Sequence, residues 1–113
     1  MSFPEMAFEI RPDELQRRLR AGERIYLLDV RQEWEHQTAK LPGDLLIPLH
    51  ELPARLDEVQ PEPGQLVVAY CHHGVRSLSA AAILRDAGIA GALSLAGGIE
   101  LWSRVIDSSV PRY

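Results

Sequence analysis

Two short stretches, residues 25–30 (IYLLDV) and 66–70 (LVVAY), are apolar at nearly every position. They lack the polar alternation of a strand with one wet face, so each fits a strand covered on both sides, as in a parallel sheet. Parallel neighbours cannot be joined by a tight turn. A chain that contains them must spend residues on crossovers, usually helices.

The rest of the chain supplies those crossovers. Phe8-Glu9-Ile10 is a short strand candidate, and Pro12 then opens a helix with Asp13 and Glu14 at its positive end. Leu15 and Leu19 are expected on its inner face, the arginines at 17, 18 and 20 outside, and Gly22 after its end. Residues 32–38 read as a short polar helix, Leu41-Pro42-Gly43 as a turn, and residues 45–47 as a brief strand closed by Pro48. Residues 51–59 are expected to be helical, with Leu52, Leu56 and Val59 on one face. A further helix starts near Arg76 and runs to about Ala87, with Leu78, Ala81, Ala82 and Leu84 at packing spacings and Gly88 at its end. Residues 92–95 form a strand, and Gly97-Gly98 leads into a last helix carrying Leu101, Trp102 and Val105. Residues 107–113 are expected to be extended. The alternation predicts an α/β fold: a central parallel sheet of about five strands, with helices on both faces, in one domain over residues 1–113.

In such sheets ligands bind beyond the carboxyl ends of the strands. Asp29, Arg31 and Cys71 all fall at that edge. Cys71 is the chain's only cysteine, and it stands where an apolar strand gives way to the loop 71–77 (CHHGVRS) and a helix. Backbone N–H groups at a helix start, with the helix dipole behind them, stabilise an anion. The thiolate is the reactive form of cysteine. The stretch therefore reads as an anion cradle around a nucleophilic sulfur, the other reading being an inert buried thiol. Gly74 lets the backbone turn tightly.

Arg76 is expected to brace the loop by pairing with an acid such as Asp29. Ser77 reads equally as a cap of the helix or as a hydrogen-bond partner of the sulfur. His72 and His73 are expected to face outward at the pocket mouth and tune its charge. Two adjacent histidines on a tight loop do not suit one ion, so no metal is expected, and no cofactor either. Asp29 and Arg31 read as a strand-end pair, with Glu35 a possible partner of Arg31 and a positive rim the other reading for that arginine. His36 and His50 are expected in solvent, and Trp34 and Trp102 in packing.

The net charge of −4, from 12 Lys and Arg against 16 Asp and Glu, disfavours nucleic acid as a partner. One cysteine excludes a disulfide framework and suits a reducing compartment. No apolar run reaches the ~20 residues of a membrane span, and the first residues lack the pattern of a signal peptide. The expected location is the cytoplasm, with no membrane partner.

Four motifs in order, Asp29-Val30-Arg31, Leu41-Pro42-Gly43 before Ile47-Pro48, the loop from Tyr70-Cys71 to Ser77, and Gly97-Gly98-Ile99-Glu100-Leu101-Trp102, resemble the single-domain rhodanese sulfurtransferases. The likeness runs from about Ile10 to Tyr113. It implies the rhodanese fold and a ping-pong transfer in which Cys71 takes sulfur from a thiosulfate-like or persulfide donor, holds it as a persulfide, and passes it to a thiol or cyanide. It also implies that the amides of residues 72–77 (His72, His73, Gly74, Val75, Arg76, Ser77) bind the substrate sulfur. The acceptor thiol can belong to a small molecule or a protein. His72 stands where the family often has arginine, so a titratable group replaces a fixed charge. Ala39-Lys40-Leu41 stands where Gly-His-Ile is frequent. The closing residues, Ser109-Val110-Pro111-Arg112-Tyr113, resemble the ends of rhodanese domains joined to sulfur-carrier activating enzymes. Two alternatives stay open: a non-catalytic binding or regulatory module of the same fold, and a cysteine phosphatase. The latter uses Cys-x5-Arg, one residue longer than the Cys71-x4-Arg76 found here.

Overall fold

The computed structural model describes residues 8–43 and 45–113. The reading of the chain's start falls partly on residues 1–7, outside the described residues. Five strands, β1 (Glu9–Ile10), β2 (Tyr26–Asp29), β3 (Leu45–Leu46), β4 (Val67–Tyr70) and β5 (Leu93–Leu95), make one sheet in the order β1-β5-β4-β2-β3. Every pairing is parallel. Asp29 is level with both Leu46 and Tyr70, so the strands release their chains at one common edge.

Among the described residues, α1 (Pro12–Arg20), α2 (Glu33–Thr38) and α3 (Val75–Asp86) connect strands, short 3-10 turns join β3 to β4, and α4 (Gly98–Val105) follows β5. Alternate residues of each strand point to opposite faces. Leu27, Val68, Tyr70 and Leu95 join Leu15 of α1 and Ile99 and Trp102 of α4 in one core. Leu28, Val67, Ala69 and Cys71 join Ala80 and Leu84 of α3, with Leu52 and Val59, in the other. Both faces are therefore covered, as the uniform apolar runs require. Each large aliphatic side chain fully buried this way contributes about 1.5–3 kcal/mol. Among the described residues no helix is long and apolar enough to cross a membrane.

Several expectations need correction. Residues 51–59 are not one α-helix but two 3-10 turns, Leu49–Ala54 and Leu56–Glu58. Pro53 lies inside the first; it has no N–H to donate to the Leu49 carbonyl and its ring crowds that turn, which disfavours an α-helix running on from Leu49. Leu52 and Val59 still reach the core while Leu56 is only partly buried. Leu19, Leu78, Ala82 and Val105 face solvent, because α1, α3 and α4 each touch the sheet along a narrower stripe than the apolar spacing suggests. The buried stripe of α3 is Ser77, Ala80, Ala81 and Leu84; the first three are small and let that part of the helix approach the sheet closely. Trp34 is 61% exposed rather than packed. Residues 107–113 are not simply extended. A turn closed by Val110 N–H on the Asp107 carbonyl at 3.1 Å sends the chain back, and Tyr113 meets the sheet edge.

Candidate active site

Strand β4 ends at Tyr70, and the next residue, Cys71, is 1% exposed at the carboxyl edge. Two N–H groups donate to its sulfur, Gly74 at 3.1 Å and Ser77 at 3.3 Å. For both amides to turn inward, the chain must double back over three residues. Gly74 does this with φ +97°, a conformation costly for any residue with a Cβ. It immediately precedes α3, so the sulfur sits against the first turn of that helix, where unpaired N–H groups and the dipole favour negative charge.

The loop's carbonyls point the other way and are taken by α4. Ile99 N–H donates to the Cys71 carbonyl at 2.9 Å, and Glu100 N–H to that of His72 at 3.0 Å. This contact is possible because residue 98 is glycine. A Cβ there would lie 2.5 Å from the Cys71 carbonyl oxygen and closer still to that of His72, and its φ is +63°. The Gly97-Gly98 motif thus serves the cysteine loop from across the sheet: it satisfies the loop's acceptors so that the donors can face the sulfur.

Ser77 is not a capping residue; no side chain caps α3. Its hydroxyl lies 3.3 Å from Cys71 Sγ and 2.6 Å from Ser94 Oγ of β5, and all three side chains are buried. Ser94 was not recognised in the sequence. A serine flanked by leucines on a short strand carries no signal beyond its polarity.

Asp29 and Arg31 form the expected strand-end pair, but the other charged side chains pair differently from expectation. Arg31 is fully buried and binds the Asp29 carboxylate through Nε at 2.8 Å and Nη2 at 2.7 Å, so it is no positive rim and does not pair with Glu35. Burial opposes the charge on Arg31, but the Asp29 carboxylate and the Tyr113 hydroxyl more than offset it, and its pKa is raised. His36 is not simply in solvent: its Nδ1 lies 2.8 Å from Asp29 Oδ2. His50 is exposed as expected. Arg76 pairs with Glu35 rather than Asp29, in a two-pronged contact at 2.7 and 2.9 Å.

Glu35 is 3% exposed and also accepts from Gln32 N–H at 3.0 Å and from Tyr113 Oη at 2.8 Å. These contacts, Arg76 foremost, lower its pKa from 4.5 to about 2. A carboxyl depressed in the folded state stabilises the fold above its unfolded pKa and loses that contribution as protons bind. The urea midpoint of the wild type should therefore fall between about pH 4.5 and 2. Glu35→Gln should be less stable at neutral pH and show a shallower fall over that window; parallel slopes would refute the assignment.

His72 and His73 do not share one orientation. His73 is exposed, whereas the His72 ring stacks between His73 and Tyr113, each centroid 3.9 Å away. Burial, and then the proximity of His73, lower the pKa of His72, which favours the neutral ring. Its Nε2 is buried and lies 4.0 Å from Glu100 Oε1. Val75, on the outer side of the loop, is 73% exposed. Among the described residues no group of three or more His, Cys, Asp or Glu is placed to hold a metal ion.

Tyr113 is the other participant that the sequence left unmarked. It accepts from Arg31 Nη1 at 2.8 Å and donates to Glu35, and burial pushes its pKa up to about 12, so the phenol keeps its proton. Trp34 meets its ring edge-on at 5.7 Å.

Comparison with known proteins places the fold in a family. Residues 11–105 match the model of the Rhodanese-like domain. The chain is 36% identical over 99 residues to a sulfurtransferase of Allochromatium vinosum, covering 88% of this chain and 91% of that protein. It is 32% identical over 104 residues to the probable adenylyltransferase/sulfurtransferase MoeZ of Mycobacterium tuberculosis, covering 92% of this chain but only 26% of the relative. The human single-domain sulfurtransferase TSTD1 has a similar structure, with a TM-score of 0.74 at 29% identity, over 86% of this chain and 96% of that one. These relatives support sulfur transfer as the general chemistry. With the five-stranded parallel sheet and the cysteine loop at its edge, they establish that the chain belongs to the rhodanese-like domain family.

Proposed function

We propose that the protein is a sulfurtransferase that works through a persulfide on Cys71, with residues 1–113 acting as one domain. The observation that carries this reading is the pair of N–H groups, from Gly74 and Ser77, within 3.3 Å of the cysteine sulfur. The Cys71 thiolate attacks the outer sulfur of thiosulfate. The new sulfur–sulfur bond forms as the bond to the sulfonate breaks, and the bonding electrons leave with sulfite. A persulfide donor reacts in the same way and releases its thiolate. The outer sulfur of the enzyme persulfide is an anion, and donors already aimed at that region stabilise it without reorganisation. Cyanide or an acceptor thiolate then attacks the outer sulfur, leaving thiocyanate or a new persulfide and restoring the Cys71 thiolate.

His72, His73, Gly74, Val75, Arg76 and Ser77 form the substrate loop in this reading, and Asp29 and Arg31 support it. No cofactor takes part. Arg76 acts mainly as a brace, since its guanidinium is held by Glu35. The same geometry disfavours phosphate-ester hydrolysis, which needs that arginine on the phosphate. The acceptor in this reading is a thiol, of a small molecule or a protein, in a reducing compartment such as the cytoplasm, and the likeness to the adenylyltransferase/sulfurtransferase MoeZ suggests a part in sulfur delivery.

The test is the intact mass of the protein after incubation with thiosulfate and, separately, with a glutathione persulfide donor. A gain of one sulfur, lost with cyanide as thiocyanate appears, is expected. No gain from either donor would leave a non-catalytic module of the same fold.

A further inference from the structure

We propose that Tyr113, more than forty residues from Cys71 in the chain, is a positioning residue for the cysteine loop. This rests on the persulfide reading above and adds a residue to it. Arg31, held by Asp29 on the β2 edge, reaches Tyr113 Oη, and the same hydroxyl donates to Glu35. Glu35 in turn holds Arg76, which lies in the first turn of α3, next to the Ser77 amide that faces the sulfur. One phenol therefore joins two ion pairs into a continuous chain from the β2 edge to the sulfur cradle. Buried polar networks of this kind hold one geometry only while every member is satisfied.

The Tyr113 ring acts on the loop a second time. It stacks on His72 at 3.9 Å with 12° between the planes, while the backbone of His72 is held from the far side by Glu100 N–H. The residue following Cys71 is thus clamped at both side chain and main chain. Phenylalanine would keep the stack and break the bridge. Alanine would break both.

The experiment measures sulfur transfer and the rate of Cys71 alkylation by iodoacetamide in the wild type, Tyr113→Phe, Tyr113→Ala, Glu35→Gln and the Phe/Gln double variant. Tyr113→Phe should lower kcat by about tenfold with the donor KM unchanged within about twofold, a loss of transition-state alignment rather than of binding. Its buried thiol should be alkylated several-fold faster as the loop loosens. Tyr113→Ala should exceed Phe in both respects. The double variant should be no slower than Glu35→Gln alone, because both changes break one chain of contacts. Wild-type kcat and alkylation rate in Tyr113→Phe would overturn the bridge, and the same result in Tyr113→Ala would overturn the proposal whole. Additive losses in the double variant would overturn the route through Glu35. If the wild type transfers no sulfur from either donor, the persulfide reading falls, and alkylation alone decides whether Tyr113 positions the loop.

Discussion

Cys71→Ser should remove sulfur transfer, with a loss of ~10³-fold or more in kcat, and leave the fold in place. The hydroxyl is close in size to the thiol and can accept from the same two amides, Gly74 and Ser77, so the loop keeps its reason to curl. A buried, nearly isosteric exchange of this kind changes stability by about 1 kcal/mol. What it cannot do is carry the transferred sulfur, since an alcohol is un-ionised and a poor nucleophile at neutral pH. The measurement is intact mass after donor treatment beside a thermal melt. A serine protein that still gained one sulfur would move the chemistry elsewhere. A melt lowered by tens of degrees would mean that the thiol is structural.

Gly98→Ala has the next largest effect, and it strikes the site from the opposite side of the sheet. The added methyl would meet the Cys71 and His72 carbonyl oxygens, and the backbone would be held at a left-handed φ of +63°. Either α4 moves away or the loop does. In both cases the N–H groups of Ile99 and Glu100 lose the carbonyls they cap. The expected cost is on the order of 2 kcal/mol or more, with most of the activity lost. Gly91→Ala supplies the comparison. Its φ is also left-handed, +81°, but nothing lies within 4 Å of the added carbon, so it should cost about 1 kcal/mol and leave transfer intact. Equal effects from the two substitutions, by urea titration and activity, would show that backbone strain alone matters and that the close approach of α4 does not.

The sheet and the cysteine loop were legible because their signals are local. The apolar runs at 25–30 and 66–70 became β2 and β4, and the lone thiol before a glycine turn met the start of α3. The charge network was not legible. Glu35 and Arg76 are 41 positions apart, and Arg31 and Tyr113 are 82 apart. A charged residue in a sequence announces its charge but not its partner: Asp29 is the acid the sequence offers to Arg76, whose true partner is Glu35, while Asp29 is taken by Arg31 two positions on. The segment 51–59 misled for a different reason. Its apolar spacing suits a helix, but Pro53 decides the backbone, and the 3-10 turns still deliver Leu52 and Val59 to the core. Trp34 misled because a large aromatic is usually buried, whereas here its edge rests on Tyr113 and the rest faces water.

The strand order places β4 in the third of five positions, with hydrogen-bonded neighbours on both sides, while β1 and β3 hold the two margins. Amides in such a central strand exchange with solvent water only when the whole molecule opens, whereas marginal strands fray on their own. Cys71, the proposed nucleophile, is therefore mounted at the end of the strand expected to open last. Heat or denaturant that frays the margins leaves it where it is. The capacity to carry sulfur should then end with the fold itself, in one cooperative step, rather than fade as the rim of the molecule loosens.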